Sequence, residues 1–179
     1  MATFRIMLVA ALVLIFHCDL SCAEDPDIGV FRDVCKKTDY PDLCFSTFSN
    51  NPDSRGKNFH DLTALFLSIT ARKGEETRNF ISQLQKKTTD PLTQSCLRVC
   101  FDYYDVGVVE GSTMARESFN RNDYFEALSQ ISGCENVLFT CDEAFNGPPS
   151  RPNVLKQRNA VTRQYCSIAL SLVYVFKQG

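Results

Sequence analysis

Residues 96–145 decide the fold, and they read CLRVCFDYYDVGVVEGSTMARESFNRNDYFEALSQISGCENVLFTCDEAF. Two runs with helical spacing of apolar residues flank a polar break at residues 120–123. In an antiparallel helical hairpin, residues equidistant from the turn face each other. Cys100 and Cys141 lie in opposite runs, and their midpoint falls on the break. The sequence therefore predicts a helical hairpin with a disulfide bond across it.

A shorter segment near the N-terminus repeats this arrangement. Cys35 and Cys44 are centred on a break at residues 38–41, which contains a proline. The same symmetry predicts a Cys35–Cys44 bridge that closes a small hairpin. Helices this short are marginal on their own. Loop-closure entropy gives the bridge about 2.7 kcal/mol of stabilisation, and about 3.9 kcal/mol for Cys100–Cys141.

Four longer helices are predicted after this hairpin. Breaks at residues 88–91, 120–123 and 147–152 separate them. Connections this short make sequence neighbours antiparallel. The predicted fold class is all-α, an up-down-up-down four-helix bundle (58–179) preceded by a short disulfide-bridged α-hairpin (24–50).

The second long helix has two features of its own. Gly107 and Gly111 lower its helix propensity and leave room for a neighbouring helix. In the first long helix, Gly74 is expected to mark a bend. The apolar face of the second helix is assigned to the residues that recur at helical spacing, namely Leu92, Cys96, Val99, Tyr103 and Val106.

Residues 1–23 are typical of a secretory signal peptide. Arg5 precedes an apolar run of 11 residues, and cleavage is expected after Ala23. The run is too short to span a bilayer, so we expect secretion, with no membrane segment after cleavage. Residues 24–179 then form one domain. The net charge of −2, without a basic patch, gives no indication of nucleic-acid binding.

Seven cysteines remain after signal cleavage, so at least one lacks a partner within the chain. Cys96 and Cys134 lie about 16 Å apart along the predicted hairpin, which excludes a bridge between them. Cys134 and Cys166 are centred on the last turn, so they lie at the same height in the predicted bundle. A disulfide between them is possible if their side chains point at each other. Buried free thiols are the expectation here, because cysteine behaves as a small hydrophobic residue.

Catalysis and metal binding find little support in the sequence. His60 is the single histidine of residues 24–179, and we interpret it as a surface residue. A nucleophilic site would need it as a general base. No zinc-type spacing and no phosphate-binding loop occur in the sequence, so neither a cofactor nor a metal is predicted. Asp102, Asp105 and Asp142 are interpreted as solvated acids, or as part of a partner-facing surface.

Taken together, these residues resemble the plant invertase and pectin methylesterase inhibitor family over all of residues 24–179. The family's early hairpin pattern, Cys-x-x-Thr-x-x-Pro-x-x-Cys, is similar to residues 35–44 (CKKTDYPDLC). Its aspartate-tyrosine pair after the turn matches Asp123-Tyr124. Its Thr-Cys segment with acidic residues and a phenylalanine matches residues 140–145 (TCDEAF), and residues 147–149 (GPP) and Cys166 resemble some pectin methylesterase inhibitors.

The resemblance implies a non-catalytic inhibitor that is secreted to the cell wall (apoplast). It implies the same fold, with disulfides at Cys35, Cys44, Cys100 and Cys141. The implied partner is pectin methylesterase, bound 1:1 at its substrate cleft, and the alternative is an acid invertase of the cell wall or vacuole. Tobacco-type invertase inhibitors carry Pro-Lys-Phe where this chain has Asp123-Tyr124-Phe125, which favours pectin methylesterase.

Contact residues are expected on the helices that match the family's binding helices. A rival hypothesis of another class is a secreted signalling or allergen-like helical protein without an enzyme target. The candidate partner-binding residues are Asp102, Asp105, Asp123, Tyr124, Phe125, Thr140 and Asp142.

Overall fold

A computed structural model of the chain describes residues 26–177; the predicted signal peptide lies outside the described residues. Within this range the secondary structure is helical, without strands. A 3₁₀ turn (Pro52–Ser54) and a π-helical segment (Tyr104–Glu110) accompany seven α-helices. These are α1 (Pro26–Cys35), α2 (Pro41–Ser49), α3 (Phe59–Lys87), α4 (Pro91–Tyr103), α5 (Gly111–Asn120), α6 (Tyr124–Asn146) and α7 (Lys156–Lys177).

Three long helices begin at side chains that cap their free backbone amides. Asn58, Asp90 and Asp123 each accept a hydrogen bond from the amide three residues later, at 2.9, 2.9 and 3.1 Å. The hydroxyl of Thr93 also donates to Asp90, and these bonds hold the pKa of the Asp90 carboxyl below its usual value. Asn122 supplies the left-handed residue of the tight turn, with φ of 62°.

The long helices form the predicted four-helix bundle. The segments α4, π-helix and α5 follow one another without a break, and we call them together the 91–120 helix. Each long helix packs on its sequence neighbours, and α3 packs on α7 to close the ring. None of the described helices combines the length and the apolarity needed to cross a bilayer.

Aromatic rings join the N-terminal hairpin to the bundle. Phe48 of α2 lies 5.6 Å, centroid to centroid, from both Phe31 of α1 and Phe66 of α3. Phe66 stacks on Tyr165 of α7 at 5.7 Å. The hairpin therefore shares the core of the bundle, on the side formed by α3 and α7.

Three disulfides are present in the described part of the chain. The two predicted bridges, Cys35–Cys44 and Cys100–Cys141, are both formed. The expectation of free thiols at Cys134 and Cys166 was wrong, since these residues form a bridge between α6 and α7. Both lie in the core, where the two helices bring their side chains face to face. Cys96 is the free cysteine of residues 26–177.

The apolar face assigned to the 91–120 helix was also wrong. Leu92, Tyr103 and Val106 are exposed, whereas the core takes the residues one position further along, including Leu97, Cys100 and Tyr104. Apolar doublets at 96–97, 99–100 and 103–104 make the two faces equivalent in the sequence. Within the π-helical segment, Val108 and Val109 also lie in the core.

Candidate partner-binding surface

The 91–120 helix and α6 form a tightly joined unit, which we call the stapled pair. The Cα atoms of Cys100 and Cys141 are 4.7 Å apart across their bridge. Gly107 allows a second close approach, about two turns further along the helix, because a Cβ built there would lie 2.5 Å from Val137 Cγ1. The close approach of a neighbouring helix that was predicted from the sequence is thus found at Gly107. The pair is fixed at two heights.

Helix α3 supports the stapled pair from behind. Gly74 does not interrupt α3, and its missing side chain makes room for Val108 and Val109 of the π-helical segment. Arg78 of α3 forms an ion pair with Asp105. The candidate residue Asp105 therefore ties the π-helical segment to α3 and is only partly available to a partner.

The solvent-facing side of the 91–120 helix carries a short strip of exposed residues. Asp102 and Tyr103 end α4, and Val106 follows in the π-helical segment with 61% of its surface exposed. Together the three residues form a strip that combines an acidic, an aromatic and an aliphatic side chain. Asp102 is thus an acidic candidate that lies exposed in the folded chain.

Helix α6 presents a second exposed strip beside the first. Asn136, Phe139 and Glu143 recur at helical spacing on its outer side, and Phe139 is 62% exposed. Thr140, a candidate residue, is half-buried, and its hydroxyl donates to the Asn136 carbonyl at 3.1 Å. The outer surface of the stapled pair therefore mixes acidic, amide and apolar groups.

Asp142 is engaged within the chain. Its carboxylate accepts hydrogen bonds from Asn153 at 2.7 Å, Asn159 at 2.6 Å and Arg163 at 3.0 Å. These three donors come from α7 and the segment before it. Asp142 accordingly anchors α7 to α6, and its side chain has little capacity left for a partner.

The Asp142 network continues into the core through Asn159. The Tyr104 hydroxyl donates a hydrogen bond to Asn159 Oδ1 at 2.9 Å, and Thr162 Oγ1 is a second acceptor within reach, at 3.2 Å from the same hydroxyl oxygen. Burial raises the pKa of Tyr104 to about 12, because the phenolate would lose its water. Tyr104 therefore stays a neutral donor that links the 91–120 helix to α7.

The turn between the paired helices contributes one exposed group. Asp123 is occupied as a helix cap, and Tyr124 packs on Phe119 and Phe176 at centroid distances of 5.3 and 5.4 Å. Phe125 is 71% exposed, with the Lys177 ammonium 5.4 Å from its ring centroid. Of the three turn candidates, Phe125 is the one whose side chain is largely exposed.

His60, expected at the surface, is half-buried instead. Its imidazole stacks on Phe119 at 4.5 Å and meets Phe176 edge-on at 5.6 Å. Asp61 lies 3.8 Å from its Nδ1. Among residues 26–177, no three or more His, Cys, Asp or Glu side chains converge as a metal site would require.

Sequence reasoning missed Tyr103, Val106 and Phe139 as members of the surface. The first two were assigned to the core, and Phe139 was not considered. One position carries a usable signal, since Phe139 lies off the apolar stripe of α6. A bridge from Cys100 to α6 does not separate Tyr103 from Tyr104, because they lie about 60° and about 40° from Cys100 around the helix.

Comparison with known proteins fits this architecture. The sequence model of a family described as "Plant invertase/pectin methylesterase inhibitor" matches residues 30–172. This chain belongs to that family. The match includes the N-terminal hairpin, the stapled pair and most of α7.

Two curated proteins are similar to this chain. A "Pectinesterase inhibitor" from Actinidia deliciosa is 25% identical over 163 residues, which cover 89% of this chain and 86% of the relative. A "Putative pectinesterase/pectinesterase inhibitor 26" from Arabidopsis thaliana is also 25% identical over 163 residues. That match covers 81% of this chain but 16% of the relative.

Two crystal structures share the fold. One is a pectin methylesterase inhibitor from Arabidopsis thaliana, with a TM-score of 0.60, 19% identity and coverage of 82% of this chain and 95% of the other. The other is a mutant form of a pectin methylesterase inhibitor from Arabidopsis, with a TM-score of 0.65, 19% identity and coverage of 79% and 93%. At this identity, the likeness establishes the fold.

Proposed function

We propose that this protein is a secreted, non-enzymatic inhibitor that binds pectin methylesterase and covers its substrate cleft, so that pectin in the cell wall keeps its methyl esters. The outer surface of the stapled pair makes the contact. The observation that carries the proposal is the strip of Asp102, Tyr103 and Val106, which is exposed on a helix that is fixed from two sides.

Rigidity supports an inhibitory role for this surface. A surface that is flexible before binding must be ordered when the partner binds, and the entropy lost in this ordering lowers the affinity. Here a disulfide, Gly107 and the Arg78–Asp105 ion pair hold the surface in place before any partner arrives. Tyrosine is also enriched at the core of protein interfaces, whose rim is polar.

The names of the curated relatives favour pectin methylesterase over invertase as the target. Both names contain the word pectinesterase. The residues at the turn agree, since Asp123-Tyr124 lacks the proline and lysine of tobacco-type invertase inhibitors. Three disulfides in the described chain are typical of a protein that works in an oxidising compartment, as the cell wall is.

A side-by-side titration tests the target. Purified protein is added in steps to a plant pectin methylesterase, with methanol release as the readout, and to an acid invertase, with sucrose hydrolysis as the readout. We expect loss of methanol release that reaches completion near one inhibitor per enzyme, and unchanged sucrose hydrolysis. Full methanol release at excess inhibitor across acidic pH would contradict the proposal. Loss of sucrose hydrolysis alone would transfer the function to invertase.

A further inference from the structure

A groove lies on the side of the molecule formed by α2, α3 and α7. It consists of two adjoining cavities of ≈ 390 and ≈ 380 Å³. Both are lined by Leu43, Lys73 and Tyr165, so they form one continuous depression. No residue that lines it belongs to the stapled pair. The groove is therefore separate from the surface proposed to bind the enzyme.

Tyr165 forms the floor of the groove. Its ring stacks on Phe66, and its hydroxyl lies 3.4 Å from Thr47 Oγ1. The residue is 8% exposed, so it presents a fixed aromatic edge and one hydroxyl group. Along α3 the lining runs from Ile69 to Thr77, which corresponds to about 12 Å of helix. That length suits a short chain better than a single ion.

Cationic groups line both halves of the groove. Arg72 and Lys73 come from α3, and Arg158 comes from α7. Glu76 is the one acidic residue that lines the groove, and it forms an ion pair with Lys73 at 2.8 Å. Three positive charges and one negative charge give the lining residues a net charge of +2. Arg72 makes no ion pair with any residue of the described range.

Neutral hydrogen-bonding groups line the groove together with the cations. Asn50 and Asn51 line the same half as Arg72, and Gln157 lines the same half as Arg158. Arg158 is held over the Phe80 ring at 4.0 Å, a geometry that leaves guanidinium N–H groups free at the edge of the plane. A groove lined by cations together with amides and hydroxyls matches a ligand that carries carboxylates along a hydroxyl-rich chain.

We propose that this groove binds an acidic oligosaccharide of the uronate type, with Arg72 and Arg158 on its carboxylates and the amides on its hydroxyls. The inhibitor would then hold a charged wall polysaccharide on one side while its stapled pair faces an enzyme on the other. The groove does not require the enzyme, so this inference stands or falls independently of the proposed function.

The probe is a short galacturonate oligomer, titrated by calorimetry into the full secreted protein at low ionic strength. The same oligomer with its carboxylates methyl-esterified is the matched ligand control, because esterification removes each charge and adds only a methyl group. We expect binding of the acidic form that weakens with added salt, and no binding of the ester. Absence of binding by the acidic oligomer, or equal binding of its ester, would overturn the proposal.

Variants locate the binding within the molecule. Arg72→Gln and Arg158→Gln should each weaken binding about threefold to fivefold, the range for exposed charge pairs. Lys86→Gln removes an equally exposed cation of α3 outside the groove and should change nothing. Glu76→Gln removes the repelling carboxylate and should tighten binding, a gain that misfolding cannot produce. Equal weakening by Lys86→Gln, or unchanged binding by all groove variants, would overturn the site.

Discussion

At Gly107, the absence of a side chain sets the distance between the two helices of the stapled pair. Every other position of the π-helical segment carries a side chain, and two of these, Val108 and Val109, pack behind it near Gly74. A single methyl group at either glycine would enter space that valine side chains already fill. Small residues are therefore a structural requirement here, although alanine is the better helix former.

Gly107→Ala should destabilise the protein by about 1 to 2 kcal/mol, since overpacking outweighs the gain in helix propensity. Gly133→Ala is the matched control, because a Cβ there has no atom within 4 Å. It should stabilise the protein by up to about 1 kcal/mol. Chemical denaturation measures both. Adding Val137→Ala to Gly107→Ala should recover part of the loss, and a stable Gly107→Ala protein would refute the close packing.

Tyr104 makes the stability of the fold depend on pH in the alkaline range. Its folded-state pKa of about 12 exceeds the ordinary value of 10.0. A raised pKa means that the folded state holds its proton more tightly, so the contribution is complete below pH 10 and is lost as the pH rises toward 12. The loss amounts to about 2 to 3 kcal/mol at most.

Urea denaturation at pH 9, 10 and 11 tests this in a Cys96→Ser background, which prevents thiol exchange. Tyr104→Phe should be less stable at pH 9 by about 1 to 2 kcal/mol, because Asn159 loses its donor. Its deficit relative to the parent should shrink as the pH rises. A constant deficit at all three pH values would show that Tyr104 does not titrate on unfolding.

At the scale of elements, the disulfides connect the helices in order along the chain. Cys35–Cys44 joins α1 to α2, Cys100–Cys141 joins the 91–120 helix to α6, and Cys134–Cys166 joins α6 to α7. The Asp142 network ties α6 to α7 a second time. Helix α6 is consequently the most constrained element and a firm base for the exposed strip beside it.

The third bridge is the element-scale feature most open to test. Replacing both Cys134 and Cys166 by alanine should lower stability by about 3.7 kcal/mol, the chain-entropy value for this loop. Thiol alkylation of the unreduced, denatured parent should label one cysteine within residues 26–177, which is Cys96. Labelling of three cysteines, with no loss of stability in the double variant, would show that Cys134 and Cys166 do not form a disulfide.

The sequence was sufficient to predict some of the contacts between helices but not others. The positions of the breaks predicted Cys35–Cys44 and Cys100–Cys141, because a tight antiparallel turn fixes which heights meet. For Cys134 and Cys166 the same argument gives the height but not the direction in which the side chains point. The face of the 91–120 helix was missed because apolar doublets fit two adjacent stripes equally well, and only packing against α3 and α6 distinguishes them.

The partner-binding surface was less predictable than the fold. Asp102 and Phe125 were named from the sequence and are exposed, whereas Asp105, Asp123 and Asp142 are engaged with neighbouring groups. A carboxylate that caps a helix or forms an ion pair within the chain looks identical in sequence to one that is free to bind a partner. Its role depends on long-range neighbours such as Arg78 and Arg163, which only the folded chain supplies.

On the scale of the whole molecule, two separate surfaces emerge. The stapled pair offers a rigid strip with acidic and apolar groups, and the opposite side offers a cationic groove between α2, α3 and α7. The disulfide-bridged hairpin of α1 and α2 completes that groove through Leu43 and Thr47. The bundle thus separates a proposed protein contact from a proposed saccharide contact.

The most direct test of the central claim is the titration of pectin methylesterase by matched pairs of variants. Tyr103→Ala/Val106→Ala removes apolar groups from the stapled pair. Val30→Ala/Tyr40→Ala removes the same residue types from the hairpin, where the tyrosine is exposed to the same 38%. We predict that the first variant inhibits methanol release about tenfold more weakly than the parent, as central interface residues do, and that the second inhibits like the parent. Equal inhibition by the parent and both variants would contradict the claim that the stapled pair binds the enzyme.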